Sequence, residues 1–370
     1  MKNIIRVAAL SGAVALALAA CGSAPEDEAT SGATGDAGAS DFKACMVSDS
    51  GGFNDKSFNE SGYNGLKQAE SDLGIKTATA ESKQESDFAP NIDTMVGQNC
   101  NLIITVGFLL ATATGDAAQA NTDTNFAIVD STAQDADGNT IELPNVKPLS
   151  FNTVEASYLA GYLAAGMSKT GTVATYGGIQ IPTVTIFMDG FVDGVAKYNE
   201  VHGTSVKTLG WDSKAQNGSF TGDFEDQSKG QQLTNTFIDQ GADIILPVAG
   251  PVGGGTLAAA HDANTAGKSV AVIWVDSDGV ETNPDSSDII LTSVLKEIGT
   301  AVNDVVTAAS KDEFDNTAYV GTLKNEGVGL APFHDFDSKV PADLKAEVDK
   351  LKQDIIDGTV KVTSPSSPQS

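Results

Sequence analysis

Three short apolar runs of the sequence lead into aspartates, Asp49, Asp130 and Asp276, and a fourth leads into a glycine-rich turn at Gly250. An ionised carboxylate carries two acceptor oxygens, so it suits a vicinal diol, and hydrogen bonds to charged groups are the stronger kind. Any one of these aspartates could equally cap a helix or lie in a loop. Three together, at the ends of predicted strands, indicate a site for a polar ligand with several hydroxyl groups.

The apolar runs alternate with amphipathic patterns, which is typical of parallel α/β sheets. The runs predicted as buried strands are 45–47, 102–106, 126–129, 173–176, 244–248, 270–275 and 289–291. Helical spacing is shown by Phe58, Gly62, Leu66, Ala69 and Leu73 in the first half, and by Ala156, Leu159, Ala160, Leu163 and Ala164 in the second. This alternation predicts two open α/β lobes, in which ligands bind beyond the carboxyl ends of the strands.

The composition excludes several classes of function. The 370 residues include 22 Lys+Arg against 49 Asp+Glu, which gives a formal net charge of −27. A basic surface for nucleic acid is therefore not expected, and the same field disfavours anionic ligands such as nucleotides. Only three histidines occur, far apart in the sequence, so we expect neither a histidine-built metal site nor a cofactor.

The N-terminus has the pattern of an export signal. Lys2 and Arg6 precede an apolar run, residues 7–20, that is too short to span a bilayer. The run ends in Leu-Ala-Ala before Cys21, which resembles the lipobox of bacterial lipoproteins. That resemblance implies that residues 1–20 are a signal peptide and that Cys21 is lipidated, with residues 21–41 as a flexible tether. The alternative is an ordinary signal peptide with an incidental cysteine.

The other two cysteines, Cys45 and Cys100, would lie outside the membrane, where disulfides persist. Cys45 opens one predicted strand and Cys100 directly precedes another. Because the starts of neighbouring parallel strands lie side by side, a disulfide between them is geometrically feasible. Two buried thiols remain the alternative.

Several motifs resemble one known family in their order and spacing. They are SDSGGFNDKSFN at 48–59, FAIVD at 126–130, GDFEDQSKG at 222–230, GADII at 241–245, WVDSD at 274–278 and LTSVLK at 291–296. Together they are similar to the basic membrane protein (BMP) family over nearly all of residues 42–362. Members are bacterial lipoproteins, related to the purine nucleoside receptor A of spirochaetes, that serve as substrate-binding proteins of ABC transporters.

The resemblance implies a periplasmic-binding-protein type I fold, in which two α/β lobes with parallel sheets are joined by a hinge and close on the ligand. We expect the first lobe to comprise residues 42–151 with a return segment at about 277–312. The second lobe would comprise residues 152–276 with about 313–362. A disordered Ser/Pro-rich tail is expected at 363–370.

The family also implies roles for single residues. Phe58 and Phe224 would stack on the two faces of a purine. Asp130 and Asp276 would accept hydrogen bonds from ribose hydroxyls, and Lys296 would donate to the sugar and partly balance both carboxylates. The alternatives are that the two phenylalanines belong to the core, and that Lys296, read as the start of an amphipathic helix, faces solvent.

Three further residues complete the predicted site. Gly250 lacks a Cβ, so its backbone can approach a ligand closely. Asp49 and Asn54 would face the edge of the base, where purine N–H groups need acceptors. The chain departs from the family pattern in a long polar insertion at 130–146 and in Gly-Pro-Val-Gly at 250–253, both at the rim of the predicted cleft.

Enzymatic functions fit the sequence less well. The turn at 250–256 lacks the Lys-Ser/Thr of a phosphate-binding loop, and no Gly-x-Ser-x-Gly elbow occurs. The three aspartates could suit a nucleoside hydrolase, but the phenylalanines and lysine that accompany them suit reversible holding better.

We therefore expect a monomeric, lipid-anchored binding protein on the outer side of the cell membrane. It would capture a purine nucleoside and deliver it to an ABC permease that is driven by a separate ATPase. Two alternatives remain: the same fold with a free sugar or another small polar ligand, and a surface sensor or adhesin that does not transport.

Overall fold

The computed structural model describes residues 41–368 and shows two six-stranded sheets. The first contains β1 (Lys43–Ser48), β2 (Lys76–Glu81), β3 (Leu102–Val106), β4 (Asn125–Val129), β5 (Val146–Phe151) and β13 (Tyr319–Gly321). The second contains β6 (Thr172–Gly177), β7 (Lys207–Leu209), β10 (Ile244–Val248), β11 (Ala271–Asp276), β12 (Ile290–Lys296) and β14 (Val328–Leu330). A short antiparallel ribbon is formed by β8 (Trp211–Asp212) and β9 (Asn217–Gly218).

Both sheets have a parallel core. The strand orders are β13-β5-β4-β3-β1-β2 and β14-β12-β11-β10-β6-β7. Within the described residues, neighbouring strands of the two sheets run parallel except β14, which is antiparallel to β12. Central strands such as β3 and β10 are buried along their whole length, as expected for apolar strands covered on both faces.

Helices divide between the two sheets. Those of the first lobe are α1 (Phe58–Leu73), α2 (Phe88–Gly97), α3 (Ala111–Ala120) and α9 (Ile298–Ser310). Those of the second are α4 (Val154–Met167), α5 (Pro182–His202), α6 (Gln227–Asp239), α7 (Gly253–Thr265), α8 (Gly279–Thr282) and α10 (Ala342–Ile356). The predicted helical face is buried throughout in α4, and in α1 it is buried except for its ends, Phe58 and Leu73, which are half-buried. None of the helices within residues 41–368 is both long and apolar enough to cross a bilayer.

The chain crosses between the lobes three times: after β5, after β12 and after β13. The predicted return segment at 277–312 is therefore wrong in part, because β12 pairs with β11 in the second sheet and only α9 packs on the first lobe. Likewise β13, expected in the second lobe, pairs with β5 in the first sheet. The apolar run at 289–291 was too short to show that its strand continues through buried Thr292 and Ser293 to Lys296.

The expectation of a disordered tail from residue 363 is also wrong for the described part of the tail. Ser364 Oγ donates to Asp189 Oδ2 at 2.5 Å, and the hydroxyls of Ser366 and Thr185 are 2.8 Å apart. Asp189 and Thr185 both belong to α5 and are buried. The Ser-rich composition that suggested fraying thus supplies the hydroxyls that bind the segment to α5.

The predicted tether, signal peptide and lipidated Cys21 lie almost wholly outside the described residues. The sulfurs of Cys45 and Cys100 form a disulfide across 55 residues of sequence, with the two Cα atoms 5.9 Å apart. It joins Cys45 in β1 to Cys100, which lies two residues before β3. Both side chains are buried in the first lobe, so the cross-link fixes two adjacent strands of the sheet that carries Asp49 and Asp130.

Reduction of this disulfide should destabilise the protein. Closing a 55-residue loop removes chain entropy from the unfolded state that corresponds to about 4 kcal/mol. We expect a reductant to lower the free energy of unfolding, measured by urea titration, by about that amount. The double variant Cys45→Ala, Cys100→Ala should not respond to reductant. An equal response of both proteins would contradict a stabilising role for the disulfide.

Candidate functional site

A cleft between the lobes collects the carboxyl ends of strands from both sheets. It is lined by residues that end or follow β1, β4, β10, β11 and β12. Seven of the eight predicted ligand-binding residues line it: Asp49, Phe58, Asp130, Phe224, Gly250, Asp276 and Lys296. The strand ends of both sheets therefore bring most of the predicted residues together in one region of the molecule.

The centre of the cleft is a buried ammonium group shared by two carboxylates. Lys296, the last residue of β12, donates from Nζ to Asp130 Oδ2, and the same nitrogen lies 3.8 Å from Asp276 Oδ1. All three side chains are less than a tenth exposed. Burial raises the pKa of Asp130, and the charge of Lys296 opposes that rise. Since Asp130 follows β4 and Lys296 ends β12, the pair joins the two lobes.

Aromatic rings surround the same nitrogen. Lys296 Nζ lies 4.9 Å from the ring centroid of Phe58, 5.3 Å from that of Phe187 and 5.7 Å from that of Phe151. A cation within about 6 Å of a ring face is attracted by its quadrupole, more strongly when water is excluded. The alternative that Lys296 starts an amphipathic helix and faces solvent is therefore wrong, because its side chain is 3% exposed.

Two of the cleft aspartates have an unusual backbone. Asp130 has φ 63° and Asp276 has φ 69°, in the left-handed region that is uncommon for residues other than glycine. Each ends or directly follows a strand, and this conformation turns the chain sharply at that point. Such strained residues cluster at functional sites, where the surrounding structure holds them.

A second polar group lies near the start of α1. Asn59 Nδ2 donates to Asp49 Oδ1 at 3.0 Å, while Asp55 accepts the backbone N–H groups of Ser57, Asn59 and Glu60. Asp55 therefore caps α1, which fixes the residues that begin this helix. Asn59 Oδ1 is buried and has no hydrogen-bond partner among the described residues, so it is an acceptor available to a ligand.

Burial changes the ionisation of these two carboxyl groups. Desolvation raises the pKa of Asp49 to about 7; the hydrogen bond from Asn59 opposes this and the neighbouring charge of Asp55 adds to it. Desolvation also raises the pKa of Asp55 to about 6, against the three backbone hydrogen bonds that it accepts. Near neutral pH, Asp49 can therefore present either an acceptor or a hydroxyl donor to the cleft.

Asn54, which was expected to face the edge of the base, lies outside the cleft. Asn54 is exposed and belongs to the turn that precedes α1. Asn59, one residue after Phe58, occupies the position expected for an amide at the base edge. Its signal was present in the sequence: a polar residue next to Phe58 on the first turn of a helix that follows a strand-end aspartate.

Other lining residues were also missed by sequence reasoning. They are Ser50, Asp55, Asn59, Phe108, Ile181, Thr183, Val184, Phe187, Val248, Ala249, Pro251 and Val275. Phe187 and Thr183 lie on α5, whose apolar pattern reads as ordinary core. They differ from ordinary core residues only because α5 contributes to the lining of the cleft. No local pattern in the sequence predicts this.

Phe224 lies in a close contact with the second sheet. A Cβ placed on Gly178 would be 2.3 Å from Phe224 Cε1, so the ring is packed directly against the Gly178 backbone. Gly250 has φ 52°, a conformation that suits glycine at the turn after β10. Because Gly178 has no side chain, the ring of Phe224 can pack against its backbone. Because Gly250 has none, its own backbone can lie at the cleft.

Direct hydrogen bonds also link the lobes beside the cleft. Ser57 Oγ donates to Asp276 Oδ2 at 2.7 Å. Trp274 Nε1 and Ser277 Oγ both donate to the carbonyl of Lys56, each at 3.2 Å. These bonds hold the loop before α1 against the end of β11, so the described conformation has the lobes in contact.

The whole chain resembles proteins of known type. Residues 42–365 match the family model Bmp, described as ABC transporter substrate-binding protein PnrA-like. The chain belongs to this family. An ABC transporter nucleoside-binding protein BmpA of Lactococcus lactis subsp. cremoris is 33% identical, with 99% of each chain covered. A CD4+ T-cell-stimulating antigen of Listeria innocua is 32% identical over 98% of this chain and 99% of the relative.

Solved structures agree on the fold. An ABC transporter solute-binding protein from Aeropyrum pernix K1 superposes with a TM-score of 0.78 at 23% identity, covering 88% of this chain and 94% of that one. The fold is therefore the periplasmic-binding-protein type I arrangement that the sequence predicted. As a member of the Bmp family, the protein is a substrate-binding protein of an ABC transporter, a role that implies a small ligand, a permease and an ATPase.

Replacement of Asp49 should change how stability depends on pH. Between about pH 4 and 7 the native carboxyl, with its pKa near 7, keeps a proton that the unfolded chain has lost. The contribution of Asp49 to the free energy of unfolding therefore falls as the pH rises through this window and levels off above it.

In ligand-free protein, the unfolding free energy of Asp49→Asn minus that of the wild type should increase with pH from 4.5 to 7.5, by at most about 1.4 kcal/mol per pH unit. The amide keeps an acceptor for Asn59. Asp135→Asn is the matched control, since backbone and side-chain hydrogen bonds from Asn139 lower the pKa of Asp135. A flat difference for Asp49→Asn would show that this carboxyl is ionised throughout.

Proposed function

We propose that this protein captures a purine nucleoside between its lobes and delivers it to the permease of an ABC importer. The observation that carries the proposal is the cluster of Lys296, Asp130 and Asp276, which lines the same cleft as Phe58 and Phe224. The cleft thus offers both charged hydrogen-bonding groups and aromatic rings. A nucleoside has the matching division into a hydroxylated sugar and a flat base.

The sugar would bind at the ammonium and its two carboxylates. Asp130 and Asp276 supply acceptor oxygens for the 2′ and 3′ hydroxyls, and Lys296 supplies donors to a sugar oxygen. Because these buried groups are held by one another, little side-chain ordering remains to be done on binding. Such preorganisation lowers the entropic cost of capture.

The base would lie between Phe58 and Phe224. Stacking on aromatic rings contributes about 1–3 kcal/mol per base and tolerates changes of base. At the edge of the base, the free Oδ1 of Asn59 and the carboxyl of Asp49 can accept from ring N–H and amino groups. The name of the Lactococcus relative, a nucleoside-binding protein, supports this choice of ligand.

The charge of the cleft disfavours phosphorylated ligands. Among the described residues that line it, four are aspartates, Asp49, Asp55, Asp130 and Asp276, and one is a cation, Lys296. Moving a phosphate into a buried region with excess carboxylates costs both desolvation and repulsion. The proposal is therefore for nucleosides and not for nucleotides.

The proposal includes the location of the protein. The lipobox pattern before Cys21 would anchor the protein by lipid on the outer side of the cell membrane, with the folded lobes held beside the permease. It would act as a monomer without a cofactor. Mass spectrometry of the protein purified from membranes, compared with Cys21→Ala, should detect a lipid on the mature N-terminus of the wild type only.

Calorimetric titration tests the ligand. Residues 41–370, which contain both sheets, would be freed of copurified ligand and titrated with guanosine, inosine, adenosine, uridine, ribose and GMP. We expect purine nucleosides to bind at micromolar or lower Kd, with ribose and GMP silent. Binding of ribose alone would instead favour a sugar receptor. Silence of the whole panel would overturn the nucleoside proposal.

Removal of the Phe224 ring should weaken guanosine and adenosine to a similar extent, because stacking is tolerant of the base. Gly178→Ala should have the same effect, since its Cβ would collide with the ring. In the background of Phe224→Ala, the Gly178→Ala change should cost little further affinity. Additive losses would show that Gly178 acts on the ligand by another route, and loss for one purine only would contradict stacking.

A further inference from the structure

A second cavity adjoins the ligand cleft. It shares four lining side chains with the cleft, Phe108, Asp130, Thr183 and Lys296, so the two spaces meet at the pair of Lys296 and Asp130. Residues of β5, of α5, of the C-terminal segment and the residue before α4 form the rest of its lining. The cavity therefore begins where the proposed sugar site ends.

An unpartnered hydroxyl lines this cavity. Thr153, the residue before α4, is 0% exposed, yet its Oγ1 has no hydrogen-bond partner within residues 41–368. It does not cap α4 with its side chain either. Buried polar groups are nearly always hydrogen-bonded, and leaving one without a partner is unfavourable. The hydroxyl of Thr153 is therefore suited to form a hydrogen bond with a ligand group that enters the cavity.

The lining of the cavity selects for a neutral group of mixed character. Ser150, Thr183 and Ser366 add hydroxyls to that of Thr153, and Phe108 adds an aromatic ring. The only ion pair that reaches it in the described structure, Lys296 with Asp130, is internally balanced and has Asp276 beside it. An anionic group would be repelled by the excess of carboxylates, whereas a short neutral chain with an oxygen atom would not be repelled.

The proposed binding of the nucleoside leaves one part of the sugar for this cavity. The base would occupy the aromatic part of the cleft, and the 2′ and 3′ hydroxyls would bind Asp130 and Asp276. The 5′ carbon carries the one remaining substituent of the ribose.

We propose that the cavity is a subsite for a neutral, hydroxylated substituent on the 5′ carbon of the nucleoside, which accepts a hydrogen bond from Thr153. This inference rests on the proposed function and extends it to 5′-substituted nucleosides. The C-terminal segment completes the subsite, because Ser366 lines it and is bound to Thr185 of α5.

The experiment compares adenosine with 5′-deoxy-5′-(2-hydroxyethylthio)adenosine by calorimetric titration of residues 41–370. In the wild type we expect the extended probe to bind within about threefold of adenosine. Thr153→Val keeps the shape of the side chain and removes only the hydroxyl. It should lower the affinity for the extended probe, relative to that for adenosine, by about tenfold, as expected for loss of one buried hydrogen bond.

Ser157→Ala is the matched control. Ser157 Oγ is also buried without a partner among the described residues, but it does not line the cavity. This variant should leave the ratio of the two affinities as in the wild type. Thermal unfolding without ligand checks the fold, and Thr153→Val should not lower the Tm because the lost hydroxyl has no partner in the free protein.

The outcomes separate the inference from the proposal on which it rests. Failure of adenosine itself to bind would overturn the proposed function. If adenosine binds and the extended probe binds more than a hundredfold more weakly in the wild type, the subsite is overturned. The role of Thr153 would be overturned if Thr153→Val left the ratio of the two affinities unchanged. It would also be overturned if Ser157→Ala changed this ratio by the same factor.

Discussion

The buried ammonium of Lys296 is the interaction on which the rest of the site depends. It lies between Asp130 of one lobe and Asp276 of the other, and removing Lys296 or Asp130 would leave a buried charge without its hydrogen-bonded partner, which is strongly unfavourable. To place these groups together, two sheets must align the ends of β4, β11 and β12, and two aspartates must adopt left-handed backbone conformations. The fold can thus be understood as the support for one shared cation.

Much of the architecture follows from the sequence by simple rules. Buried apolar runs predicted seven strand cores, all of which occur in the two sheets, and strand-end aspartates predicted the position of the cleft. The edge strands β2, β7, β13 and β14 were not predicted, because half-exposed or very short strands lack a continuous apolar run. The allocation of β12 and β13 to lobes is a matter of long-range pairing, which no local pattern records.

Individual site residues show the same limit. Asp130, Asp276 and Phe224 could be predicted because a motif or a strand end marks them. Lys296 lines the cleft but was predicted on the wrong element, since the polar Thr292 and Ser293 hid the last part of β12. Asn54 was predicted in the site but is exposed, whereas Asn59, five residues later, lines the cleft; no local pattern distinguishes the two.

The three crossings of the chain have a consequence for biosynthesis. Each sheet receives an edge strand from the last part of the chain: β13 at 319–321 pairs with β5, and β14 at 328–330 pairs with β12. Until those residues have been synthesised, β5 and β12 keep unpaired backbone groups, which are the feature of strands most prone to intermolecular association. Each lobe therefore lacks one edge strand until the last part of the chain has been synthesised.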